Sequence, residues 1–324
     1  MIISEIGISE FRGIKQLSKS IQLTKFNLII GRNNSGKSSI LEALYLAPHP
    51  SITVKIPLVI SRHEIVARLH SGFASLVYGY SGKARIACRY KEKQVEIVLS
   101  SNGGCEVSIN GKNTPTPADV ADLLNMTEDK LRTETTYIPS STDFVEELQK
   151  RLINKELWSS VVKQGAHVDI VKELINPVVS DTYTEVFIER NELKLRKERK
   201  EGPLYIHIAD MGDGVERALT IALALEYLKP GLVLWDDLES SAHPGLVEAV
   251  LRWLAGKDWQ VVVTTHSLDV LNEYAKLSPP NSQVIALKKN KNDVVCYKTY
   301  TPQRIEEILE SGVDIRKIID ILRL

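Results

Sequence analysis

The sequence predicts an α/β protein with a parallel sheet covered by helices on both faces, joined to an antiparallel β-rich part. Three observations predict it. The last third alternates element types: a helix over 215–228, the strand LVLWD, a helix around 245–255, the strand VVVTT and a helix from Leu268. Such alternation builds parallel sheets. FNLIIG (26–31) is apolar nearly throughout, as a strand buried on both faces must be. The runs ARIACRY, KQVEIVLS and CEVSIN are punctuated by Asn102-Gly103-Gly104 and Asn110-Gly111, which predicts an antiparallel meander.

The elements follow in order. Residues 2–9 and 26–31 read as strands, and a helix runs from Lys37 to about Leu46 with Ile40, Leu41, Leu44 and Tyr45 on one face. A proline-broken stretch and a helix near 62–70 precede the meander. At KNTPTPAD, Thr116 caps a helix that carries Pro117 in its first position and Asp119 in its first turn. Residues 117–126 and 143–175 read as mostly helical around a strand at TTYIP (135–139). Strands return at TEVFIE, ELKLRK and LYIHIA, and helices over 302–310 and 313–322 close the chain.

The 324 residues, 43% hydrophobic and 25% charged, suit one large domain or two lobes with ample core. Forty-one basic and forty-one acidic residues cancel, so no global field points to nucleic acid or membrane. Cys88, Cys105 and Cys296 are odd in number and lack metal-ligand spacing, which suits a reducing cytoplasm. MIISEIGISEF has no basic start before an apolar run, and no apolar stretch is long enough to span a bilayer. The expectation is a cytoplasmic protein without a membrane partner.

GRNNSGKS fits the phosphate-loop spacing G-x-x-x-x-G-K-[ST], with Gly31, Gly36, Lys37 and Ser38 at the fixed places. The glycines let backbone N–H groups converge on phosphate oxygens, Lys37 neutralises their charge, and the Ser38 hydroxyl ligates Mg²⁺. An apolar strand before and an amphipathic helix after give the motif its context. Arg32, Asn33, Asn34, Ser35, Gly36, Lys37, Ser38 and Ser39 form the expected nucleotide-binding stretch.

LVLWDD is a buried strand that delivers Asp236 beside the metal, followed at once by Asp237. His266 follows VVVTT at the strand end where ligands bind in such sheets, so it is either a γ-phosphate contact or a structural histidine. Gly212-Asp213-Gly214 opens a helix that turns apolar nearly all round. Glu239 is either a second acid for the site or a structural acid that pairs or caps near His243-Pro244. The basic runs KLRKERK (194–200) and LKKNKN (287–292) read as solvated hairpin tips rather than a DNA surface.

Together these segments resemble the ABC-type ATPase heads of the RecF/SMC and OLD (overcoming lysogenisation defect) group, OLD-like members above all. ISEFRGIKQL resembles their opening strand, NLIIGRNNSGKSSILEAL the Walker A segment, and MGDGVERAL the signature helix start. LVLWDDLESSAHP resembles Walker B with a trailing histidine-proline, VVVTTHSLDVL the switch-histidine segment, and TPQRIEEILESGVDIRK the tail.

The resemblance implies a P-loop NTPase of two lobes that uses ATP and Mg²⁺. Lobe I would cover 1–115, a helical insertion 116–180 and lobe II 181–324. It implies Ser38 and Asp236 as metal ligands, and Lys37, Asp237 and His266 as catalytic groups, with Asp237 in the place of a glutamate base. It also implies a nucleotide-dependent homodimer in which Gly212, Asp213 and Gly214 complete the other subunit's site. A protein partner such as a nuclease, or DNA, is compatible with it. The signature serine is replaced by Gly212. No glutamine can be placed in the metal-watching loop, for which Ser140 and Ser141 stand as weak candidates. The sequence ends where OLD nucleases continue into a Toprim domain, so no nuclease activity is expected of this chain.

Overall fold

The computed structural model describes residues 1–240 and 242–312, so the helix expected at 313–322 lies outside the described residues. Among them, thirteen strands form one mixed sheet. Its order from one end is Lys112–Asn113, Cys105–Ile109, Lys93–Ser100, Lys83–Tyr90, Ile3–Phe11 and Ile14–Leu17. It continues through Val294–Tyr300, Ser282–Lys289, Phe26–Gly31, Gln260–Thr265, Leu232–Trp235 and Thr135–Ile138, with Ile21–Gln22 paired beside Ile3–Phe11. The last five strands of this order run parallel, and the meander end is antiparallel, as the turn residues predict.

Alternation explains the uninterrupted apolar runs. Leu28, Val233, Val263 and Val284 pack in one core, while Ile29, Leu234, Val262 and Ile285 pack in a second. Ile40, Leu41 and Leu44 of the helix Lys37–Leu46 belong to the second core. The helices Asp213–Leu228, Pro244–Ala255 and Leu268–Leu277 supply the first. Each central strand is therefore covered on both faces, which leaves no solvated side to carry polar residues.

The helix over Pro117–Leu124 starts as expected: the Thr116 hydroxyl accepts from Asp119 N, and Pro117 opens the helix. TTYIP supplies the strand Thr135–Ile138, after which the helices Thr142–Leu152, Lys155–Lys163 and Ala166–Ile170 follow. A separate antiparallel sheet of Glu185–Glu189, Glu192–Lys197 and Leu204–His207 leads towards Gly212. The basic run 194–200 is thus largely strand rather than tip. Lys194 pairs with Glu189 at 2.6 Å, Arg196 with Glu185 at 3.1 Å, and Lys197 with Asp181. The run 287–292 divides in the same way, with Leu287–Lys289 in a strand and the turn beyond it closed by Lys289 and Asp293 at 3.0 Å.

Candidate nucleotide site

The parallel register brings four chain segments to one edge of the sheet. Trp235 pairs with both Ile138 and Val263, and Ile30 pairs with Thr265. The residues that follow these strands therefore crowd together, as ligand-binding residues do in open α/β sheets.

The phosphate loop is built from its backbone outward. A Cβ on Gly31 would overlap Ser35 Oγ and come within 3.1 Å of the Leu287 carbonyl, so a side chain there would push the loop apart. Gly36 adopts φ +100°, a left-handed conformation that glycine takes without strain, and it caps the helix Lys37–Leu46. Asn34 also has positive φ, at 60°, which asparagine tolerates. Ser35, Lys37 and Ser39 are buried, whereas Arg32, Asn33 and Asn34 are exposed.

Lys37 is 5% exposed and donates to the carbonyls of Gly31 (3.1 Å) and Arg32 (3.3 Å). Its Nζ also lies 3.4 Å from His266 Nδ1. Burial lowers the Lys37 pKa below 10.5, and the charges of Asp237, Asp236 and Glu239 oppose that shift. An ammonium only donates, so Nδ1 serves as the acceptor in this contact, which leaves Nε2 for other partners. That nitrogen lies 3.7 Å from Asp237 Oδ1.

Asp236 is 4% exposed, and burial raises its pKa above 3.8, against the hydrogen bonds from Thr264 and Ser38. Thr264 Oγ1 donates to Asp236 Oδ1 at 2.6 Å and accepts from Asp237 N at 2.9 Å. Asp237 has φ +49°, in the left-handed region. Its Oδ1 and Glu239 Oε2 are buried carboxylate oxygens without a hydrogen-bond partner.

Glu239 does not cap near Pro244: its Oε1 accepts from the backbone N–H of His266 at 2.7 Å, and its charge faces Lys37 across the site. The capping near Pro244 falls to His243, whose Nδ1 accepts from Gly245 N. Gly212 and Asp213 are exposed and Gly214 is half-buried, at the start of a helix packed on Thr142–Leu152 and Ala166–Ile170.

Two residues of the site carry no sequence signal of their own. Thr264 reads as one more β-branched strand residue, and its partners are 27 and 28 positions away. Arg217, 6% exposed, donates to Pro139 O at 2.8 Å and to Ser141 O at 3.5 Å. Burial lowers its pKa, opposed by the charge of Asp237. The turn at Ser140 and Ser141 thus receives an arginine from the helix Asp213–Leu228. Gln149, further along, donates to Glu216 at 2.8 Å and to Thr220 at 3.1 Å.

These residues fit a nucleoside triphosphate with Mg²⁺. The loop is open to anions at a helix N-terminus, and the Ser38 hydroxyl meets the Asp236 carboxylate. Hard oxygen donors of this kind, few in number, suit Mg²⁺ shared with phosphates. Among the described residues no cluster of three His, Cys, Asp or Glu forms a self-sufficient metal site.

The fold and the phosphate loop define the class: an ABC-type P-loop ATPase head. Residues 2–290 match the RecF/RecN/SMC N-terminal domain, and the chain belongs to that family. It is 29% identical to the DNA replication and repair protein RecF of Idiomarina loihiensis over 124 residues, 38% of this chain and 30% of RecF. The Old nuclease of Escherichia phage P2 is 21% identical over 96% of this chain, which spans 63% of that protein. An Smc head solved with the C-terminal winged-helix domain of ScpA superposes with a TM-score of 0.64. That structure is 15% identical, and the match covers 97% of this chain and all of the head. No helix among the described residues is long and apolar enough to cross a membrane.

Proposed function

We propose that this protein binds ATP with Mg²⁺, hydrolyses it slowly, and uses ATP-driven dimerisation of the head to power or gate a DNA-repair or mobile-DNA-defence transaction. The observation that carries the reading is the meeting of Ser38 and Asp236 at the phosphate loop, with Lys37, His266 and Asp237 around the same point. The similarity to RecF and to the Old nuclease supports the DNA context.

In this reading residues 32–39 would hold the phosphates, and Ser38 and Asp236 would hold Mg²⁺, which would supply positive charge to the phosphates. Lys37 leaves its loop carbonyls for phosphate oxygens. Asp237 takes a proton from the attacking water, and His266 steadies the γ-phosphate. Asp237 is one methylene shorter than glutamate, about 1.3 Å of reach, so the rate suffers more than the binding. Gly212, Asp213 and Gly214 would complete a second copy's site, a role that the exposure of Gly212 and Asp213 supports. Lobe I (1–115), the insertion (116–180) and lobe II (181–324) are the units of the head in this reading, and each contributes to the one large sheet. A nuclease is one partner compatible with such a head.

The alternative is a non-hydrolysing ATP-gated interaction module, favoured by the short acid at 237. Size measurement with and without ATP and Mg²⁺ tests the dimer. A particle mass that ignores ATP contradicts the dimerisation, and phosphate release separates the two readings.

A further inference from the structure

We propose that Thr264 is the positioning residue that sets both acids of this site, an inference that rests on the ATP and Mg²⁺ reading above. The strand Gln260–Thr265 is buried at all six positions, and Thr264 is 0% exposed. A valine has the same shape and would suit an otherwise valine-rich strand. A hydroxyl buried there is tolerated only when it is hydrogen-bonded.

Thr264 uses its hydroxyl in both directions. The proton goes to Asp236 Oδ1 (2.6 Å), and a lone pair receives the N–H of Asp237 (2.9 Å). Its own carbonyl accepts from Leu238 N at 3.1 Å. One residue therefore binds three consecutive residues of the neighbouring strand end. The middle one, Asp237, has φ +49°, a left-handed conformation that aspartate tolerates and that the contacts of its two neighbours hold in place.

The consequence is specific. The donated proton fixes one oxygen of the carboxylate assigned to Mg²⁺, and the accepted N–H fixes the backbone from which the base projects. Thr265 plays no part in this, because its hydroxyl accepts from Ser267 N at 2.9 Å, beyond the strand. Thr264 itself is fully buried, away from the open face of the site. It acts through the two aspartates.

The test compares wild type, Thr264→Val, Thr264→Ser and Lys37→Ala. ATP binding is followed by calorimetry across a Mg²⁺ series, and phosphate release gives kcat and KM. For Thr264→Val the Mg²⁺ needed for half-maximal binding rises about tenfold and kcat falls by at least as much, the loss of a hydrogen bond to a charged group. Its ATP affinity without Mg²⁺ stays near wild type, its unfolding temperature falls by a few degrees because the Asp237 N–H and Asp236 Oδ1 lose a buried partner, and Thr264→Ser restores Mg²⁺ dependence, kcat and most of the lost stability.

Unchanged Mg²⁺ dependence in Thr264→Val overturns the proposal. So does a serine variant as impaired as valine, because packing rather than the hydroxyl would then be at work. Wild-type phosphate release no faster than Lys37→Ala contradicts the hydrolase reading instead, and the Mg²⁺ series still judges Thr264. Wild-type ATP binding that ignores Mg²⁺ overturns both.

Discussion

Asp237 Oδ1 lies 3.7 Å from Nε2 of His266, a gap slightly too long for a hydrogen bond. The aspartate is close to the site but short of contact. Asp237→Glu adds the missing methylene and is expected to raise kcat roughly tenfold with ATP affinity unchanged. Glutamate suits positive φ less well than aspartate, at about 1 kcal/mol, so the unfolding temperature falls by roughly a degree or two. Steady-state phosphate release and a thermal melt check both halves.

Glu239 holds the backbone N–H of His266 through one oxygen. Glu239→Gln keeps a carbonyl acceptor and should retain turnover, whereas Glu239→Ala should lower kcat roughly tenfold by freeing His266. If Glu239 were the base, glutamine would abolish turnover as thoroughly as alanine. Phosphate release for the pair distinguishes the two roles.

Asp236 carries a pKa raised above 3.8 by burial. A raised carboxylate pKa means that the folded state prefers the protonated form. Stability from this group is present below 3.8 and is lost as pH rises through the folded value. Asp236→Asn should therefore melt higher than wild type at pH 7 without nucleotide, and the difference should vanish in acid below the ordinary aspartate range. The same variant should lose the added stabilisation that Mg²⁺ gives with ATP. Melts across pH, with and without Mg²⁺ and ATP, measure both effects.

The basic runs are held by acids: Lys194 by Glu189, Arg196 by Glu185 and Glu198, Lys289 by Asp293. Lys194→Glu and Lys289→Glu should leave any duplex affinity and its salt dependence unchanged. Loss of binding in a salt titration would reassign these strands to a DNA surface.

The central sheet and the phosphate loop are legible in the sequence because their physics is local. A strand covered on both faces must be apolar throughout, and only glycine fits Gly31 against Ser35 or takes the φ of Gly36. The strands Ile14–Leu17, Ser282–Lys289 and Val294–Tyr300 are not legible in the same way. Ser282–Lys289 has polar residues at both ends and only four buried in its middle, so its lysines read as loop. Thr264, Arg217 and the Glu239 contact are hidden for another reason. Each depends on a partner at least 27 residues away, a pairing that exists only once the strands are registered.

Whether this head hydrolyses ATP is decided by steady-state phosphate release from wild type, Lys37→Ala and Asp237→Glu, with ATP-dependent mass measured on the same samples. The expected result is slow wild-type release that needs Mg²⁺, is lost in Lys37→Ala and quickens in Asp237→Glu. Wild-type release equal to that of Lys37→Ala, with ATP-driven dimerisation intact, would contradict hydrolysis and leave a nucleotide-binding switch.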